Sequence, residues 1–213
     1  MISISNELLE KVPGLFVKTK ILENVSVKLT PQILQEKKAE LIKKWEGKTA
    51  KDLDSIEQII SYRNLQSKFG QDPKIQLPAV ENMLVRGILQ GKFPTINSAV
   101  DSANIISIEN LIPIGLFDFD KITGGIELRL AGETDQFIPI GKTKPEKIKA
   151  GLPVLSDSEK IFSAIGVRDS EATKIMSSSK RLLILSWGIG SINEQKIEQV
   201  LEKASLLIKK EVG

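Results

Sequence analysis

The chain has 213 residues, 41% hydrophobic and 27% charged, with a formal net charge of +3. That length supports one large domain or two small ones with a sizeable core, and the small net charge by itself points to no partner. Cysteine and histidine are both absent, which excludes disulfides, thiolate chemistry, Ser-His-Asp and Cys-His nucleophilic systems and the usual zinc ligands.

Any chemistry must therefore use carboxylates, hydroxyls, amides, Lys or Arg, bound water, or the substrate itself. No apolar run approaches the roughly 18 residues of a membrane span. The N-terminus, Met1-Ile2-Ser3-Ile4-Ser5-Asn6, lacks the basic and apolar regions of a signal peptide. The expectation is a cytoplasmic protein with no membrane association. The basic surplus lies early: residues 1–75 hold 13 basic and 10 acidic side chains, residues 76–213 hold 17 of each.

In chain order, Phe16 to Leu22 alternates and predicts a strand, extended by Asn24 to Val27. Thr30-Pro31 reads as an N-cap with proline at the first helical position, opening a helix to about Trp45. A second helix is expected from about Asp52 to Phe69, closed by Gly70-Gln71-Asp72-Pro73. Pro78 opens a third, ended by Gly91, and Asn97 or Ser98 caps a fourth that reaches Leu111. Strands are expected near Ile114–Phe117, Ile126–Ala131 and Phe137–Ile140, with a turn at Thr123-Gly124-Gly125. Further strands follow at Val154–Ser156, Ile161–Ile165 and Leu182–Trp187. Asn193 starts the last helix, with Ile197, Val200, Leu201, Ala204 and Ile208 on its apolar face. This interleaving predicts a layered α/β domain. The expected division is a strand and helices over 1–75, part of or appended to a core over 76–213, with no flexible linker between them.

Charges inside apolar runs mark the candidate chemistry, because a buried charge must be paired, hydrogen-bonded or open to a pocket. Asp118 and Asp120 share one side of an extended segment. They suit metal binding or a perturbed acid/base pair or, more simply, a strand end feeding a turn. Asn97, Asp101 and Asn104 share a face if their segment is helical, which suits a ligand or an interior polar network. Glu127 and Arg129 share a strand face, as a site or as a structural ion pair. Arg168-Asp169-Ser170 and Thr173 follow the glycine at 166, where a loop can orient a polar ligand or pin another loop. Gly188-Ile189-Gly190 lacks the surroundings of a dinucleotide motif and reads as the turn into the last helix. The lysines at 37–51 either contact phosphates or form a solvated helix face laced by Glu36, Glu40 and Glu46. No cofactor pattern and no metal-ligand set emerges. Aromatic residues, at 5%, are too sparse for a base-stacking surface.

Taken together, the helix at Pro78–Leu89, then Asn97, Val100-Asp101, Asn104, Ser107, Pro113, Gly115, Asp118, Asp120, Gly125 and Leu128-Arg129, resemble the editing domain of the phenylalanyl-tRNA synthetase beta chain. The pattern continues through Pro139-Ile140-Gly141, Arg168-Asp169 and Thr173 and covers residues 76–190 best. The resemblance implies a three-layer domain, a mixed sheet flanked by helices, with a pocket that receives the aminoacylated 3′ end of tRNA and hydrolyses a wrongly attached amino acid. The chain is too short for the synthetase's aminoacylation and anticodon-binding parts, so a freestanding domain is expected rather than a complete ligase. The histidine of bacterial pockets of this kind is missing, which leaves positioned water and the tRNA's own hydroxyl. On this reading Asp118 and Asp101 hold the water. Asn97, Asn104, Asp120, Glu127, Arg129, Arg168, Asp169 and Thr173 bind substrate, all converging on one concavity. The partner is tRNA or aminoacyl-tRNA. The alternative is a non-catalytic module binding RNA or a small amino-acid-like ligand.

Overall fold

A computed structural model describes residues 2–212, with side chains described for 2–210. Its centre is β10 (Leu182–Gly188), whose Leu182-Leu183-Ile184-Leu185 run is buried on both faces. Such a continuous apolar run is what a covered central strand requires. β10 pairs antiparallel with β2 (Phe16–Leu22) on one side and β3 (Gly115–Asp118) on the other.

A second, mixed sheet has five strands in the order β1 (Ile2–Ile4), β4 (Ile126–Leu130), β7 (Pro153–Ser156), β8 (Ile161–Ala164), β9 (Arg168–Asp169). The β1–β4 pair is parallel and the others are antiparallel. Phe117 of β3 meets Phe162 of β8 edge to face at 5.0 Å, locking the two sheets together. Thus the N-terminal segment contributes a strand to each sheet.

The helical layer is built on α5 (Ser98–Asn110) and α6 (Glu194–Val212). α6 buries Ile197, Val200, Leu201, Ala204 and Ile208, the face its periodicity predicts. α5 differs. Nine of its residues are buried, from Ser98 round to Ile108, so it is enclosed on all sides. Its serines satisfy themselves: Ser102 donates to the Ser98 carbonyl at 2.8 Å and Ser107 to that of Ile112 at 2.7 Å. α5 also serves a second core, where its Ile105 and Ile108 meet Leu34 and Leu41 of α2 (Gln32–Lys44) and Val80 and Leu84 of α4 (Ala79–Arg86).

Several expected boundaries move, each for a local reason. Asn24 turns at φ 58° and ends β2, so Val25 meets the Lys180 carbonyl in a loop rather than extending the strand. Pro31, not Thr30, occupies the N-cap of α2, and the Thr30 hydroxyl is drawn to Asp101 instead. The expected helix over 52–69 is two pieces, a 3₁₀ segment Ala50–Ser55 opened by the Thr49–Asp52 capping box, then α3 (Glu57–Lys68). The helix after Pro78 breaks at Gly87, where a Cβ would lie 2.6 Å from the Met83 carbonyl oxygen. Of the expected 137–140 strand only Phe137 pairs in a ladder, as part of Gln136–Phe137. That segment forms β5, the first strand of a hairpin completed by β6 (Glu146–Lys147). A short helix α1 (Asn6–Lys11), capped by Ser5, was not legible. Among the described residues no helix is long and apolar enough to cross a membrane.

Candidate functional site

Two adjoining cavities open between α5, β3, β8 and β9. The larger, about 250 Å³, is bounded by Asn82, Gly115, Ser163, Arg168, Asp169 and Trp187 among others. The smaller, about 120 Å³, is bounded by Val100, Asn104, Ile140, Thr173, Lys174 and Ile175. Ile114, Phe117 and Asp169 belong to both walls.

Four of the expected site residues meet here. Asn104 comes from α5 and is half-buried, and among the described residues its amide has no hydrogen-bond partner. Asp169 is half-buried on β9, opposite Ser163 of β8. The apolar walls raise its carboxyl above the ordinary 3.8, because burial penalises the charged form, while a hydrogen bond from the Ser163 hydroxyl opposes the shift. Thr173 closes the 3₁₀ turn Glu171–Thr173, which the Ser170 hydroxyl caps at Ala172. It is fully buried, and its hydroxyl has no partner among the described residues. Arg168 stands exposed at the mouth, its guanidinium unpaired among the described residues. Unsatisfied buried polar atoms are uncommon and call for an explanation. Two unpartnered polar groups and a raised carboxyl around one cavity form a set that a polar ligand would complete.

The other six expected residues lie elsewhere, so the single concavity expected of all ten does not form. Asp101 is wholly buried and taken up by Lys38 Nζ at 2.6 Å, the Thr30 hydroxyl and the Ile96 N–H at 3.1 Å. Lys38 itself is 3% exposed and also donates to the Pro94 carbonyl and the Thr95 hydroxyl. Asn97 caps α5, accepting from the Val100 N–H at 3.0 Å. Asp118 caps the 3₁₀ turn Phe119–Lys121 and accepts from the Ser179 hydroxyl at 2.7 Å, 3% exposed. Asp120 pairs with Arg181 at 2.6 Å on the surface. Arg129 turns away from Glu127 to Asp135 at 2.6 Å, and that guanidinium holds the Asp135 carboxyl below its ordinary value. These carboxylates share one circumstance, a partner from a distant or neighbouring segment that the sequence does not display. Ser163 and Lys174 were missed. A signal for Ser163 existed: a polar residue in the buried run Ile161-Phe162-Ser163-Ala164. Among the described residues no cluster of acidic side chains suited to a metal ion is present.

The B3/4 domain family model matches residues 61–212. The phenylalanine–tRNA ligase beta subunit of Mycoplasma pneumoniae is 26% identical over 108 residues, covering 51% of this chain and 13% of that protein. The corresponding subunit of Bartonella henselae is 33% identical over 100 residues, covering 46% and 12%. The chain thus spans about an eighth of the length of these relatives. An N-terminal fragment of the phenylalanyl-tRNA synthetase beta subunit from Pyrococcus horikoshii has the same fold. It superposes with a TM-score of 0.51 at 16% identity, covering 99% of this chain and 48% of that one. The family match takes in α5, both sheets' central strands and every polar residue of the two cavities, so the chain belongs to the B3/4 domain family.

Proposed function

We propose that this chain binds the 3′ end of aminoacyl-tRNA and hydrolyses the ester of a wrongly attached amino acid. The observation that carries the reading is the pair of cavities with Asn104, Asp169 and Thr173 left incomplete around them. Their size suits one aminoacyl group, not a duplex. The names of the relatives lend the substrate class.

In this reading a water sits against Asp169. A carboxyl raised by burial is a stronger base once ionised than an exposed one. As the water oxygen attacks the ester carbonyl carbon, its proton passes to the Asp169 carboxylate. The Asn104 amide and the Thr173 hydroxyl donate to the carbonyl oxygen as it gains charge. Collapse breaks the bond to the ribose oxygen, which takes the proton back from Asp169. Products are the free amino acid and the tRNA hydroxyl, with no acyl-enzyme. Arg168 at the mouth pairs with a phosphate. Asp101 and Asp118 are assigned structural roles because their oxygens are already occupied.

The test is single-turnover deacylation across a panel of mischarged tRNAs, wild type beside Asp169→Asn. The expected loss is roughly 100-fold or more, a usual general-base contribution. The absence of histidine favours a second reading, a non-catalytic pocket for an amino-acid-like ligand. A wild type that hydrolyses no member of the panel, yet is saturated by one amino acid or its ester analogue, would establish that reading instead.

A further inference from the structure

We infer that the β5–β6 hairpin is the surface that holds the phosphates of the RNA whose 3′ end enters the cavities. The inference rests on the tRNA reading above and adds a docking element to it. Residues 136–149 contain Lys142, Lys144, Lys147 and Lys149 against a single acid, Glu146. All four lysines are exposed. Lys142 stands 3.7 Å from Glu146, and the other three have no ion pair or hydrogen bond among the described residues. A small stretch of chain thus presents three lysines without an acidic partner among the described residues.

What distinguishes it from the lysines of the first third is its attachment. The hairpin is fastened to the segment that carries Asp169 and Thr173. The Ile140 N–H donates to the Asp169 carbonyl at 2.9 Å, and the Glu171 N–H to that of Ile138 at 2.8 Å. The Gly141 N–H donates to the Glu171 carboxylate at 3.0 Å, and the Ser170 hydroxyl to the Ile138 carbonyl at 3.3 Å. Ile140 itself lines the smaller cavity. An RNA strand lying along the hairpin would therefore be held in fixed relation to the pocket. By contrast, no residue of α2 lines either cavity, and its one buried lysine is turned to Asp101. Arg168, exposed and next to Asp169 in the chain, adds a further cation at the larger cavity. The hairpin has no exposed aromatic side chain, since Phe137 is buried. Base stacking is therefore replaced by phosphate contacts, which are strongly salt-dependent.

The experiment measures binding of uncharged tRNA by fluorescence anisotropy across a salt series, using the full chain. Three proteins are compared: wild type, the quadruple variant Lys142→Gln, Lys144→Gln, Lys147→Gln and Lys149→Gln, and a charge-matched control. The control carries Lys43→Gln, Lys44→Gln, Lys48→Gln and Lys51→Gln, all exposed positions. Each phosphate contact contributes roughly 0.7–0.9 to the slope of log affinity on log salt, so the hairpin variant should lose about 3 in slope. Its affinity at low salt should fall by about 10- to 100-fold, a size consistent with losing that many phosphate contacts. The control should stay near wild type, and thermal melting should be the same for all three. Equal losses in the two variants, or no binding by the wild type at any salt, would overturn the inference. Hairpin-dependent binding without ester hydrolysis upholds the surface and refutes the hydrolytic reading. Hydrolysis with binding indifferent to the hairpin does the reverse.

Discussion

The pair Lys38–Asp101 decides whether Asp101 is a structural or a chemical residue. Both side chains are essentially inaccessible, at 3% and 0% exposure, and their charged atoms are 2.6 Å apart. The pair joins α2 to α5 and, through Pro94, Thr95 and Ile96, fixes the loop that leads into α5. Lys38→Met keeps much of the stem but leaves a buried carboxylate with only the Thr30 hydroxyl and the Ile96 N–H. Removing one partner of a buried pair costs about 3–5 kcal/mol. With a urea dependence of about 2 kcal/mol per molar, the unfolding midpoint should fall by roughly 1.5–2.5 M. Asp101→Leu should be similarly costly, since it strands the ammonium on two neutral acceptors. The double variant removes both charges. It should cost only about 1–3 kcal/mol beyond packing effects, for the donors left behind at Thr30 and Ile96. A double-mutant cycle in urea should therefore give a coupling of at least about 2 kcal/mol. Losses that simply add, or a midpoint shift for Lys38→Met below about 0.5 M, would show that the pair does not hold the helices and reopen a chemical role for Asp101.

Thr173→Val separates stability from function at the cavity. The hydroxyl is buried without a partner, so its removal should leave the urea midpoint unchanged or stabilise by up to about 1 kcal/mol. Deacylation should fall by about 10-fold or more if that hydroxyl meets the ester carbonyl. A destabilised variant with intact deacylation would contradict both halves. Asp169 should leave a signature in pH. Its carboxyl is raised from 3.8 by burial, so the native state binds the proton more tightly than the unfolded chain. That stabilisation is fully present below the unfolded value and is lost as pH rises through the folded one. The gap in urea midpoint between wild type and Asp169→Asn should therefore shift against the wild type as pH rises across that window. Deacylation by the wild type should rise over the same window, as the base ionises. A pH-independent gap would remove the buried carboxyl from the account.

Periodicity and caps sufficed for the elements whose stability is local or whose burial is one-sided. α6 has its apolar stripe written in the positions of Ile197, Val200, Leu201, Ala204 and Ile208. α5 has Asn97 to begin it, and β10 has an uninterrupted Leu-Leu-Ile-Leu run. Composition alone removed thiol, disulfide and imidazole chemistry. The order of motifs from Pro78 to Thr173 was enough to suggest the family that the match over residues 61–212 bears out. The short pieces were illegible because their partners supply their stability. β1 exists through its register with β4, α1 is six residues long, and β6 is two residues that form a strand only by pairing with β5. The site divided the same way. Sequence marks a charge in an apolar run but cannot show what neutralises it. Asp101 finds Lys38, Asp118 finds Ser179 and Arg129 finds Asp135. Asn104 and the Thr173 hydroxyl find no partner among the described residues, and Asp169 only Ser163. Pairing over long sequence separations is settled by tertiary packing, and in this chain packing decides which polar residues are left for a ligand.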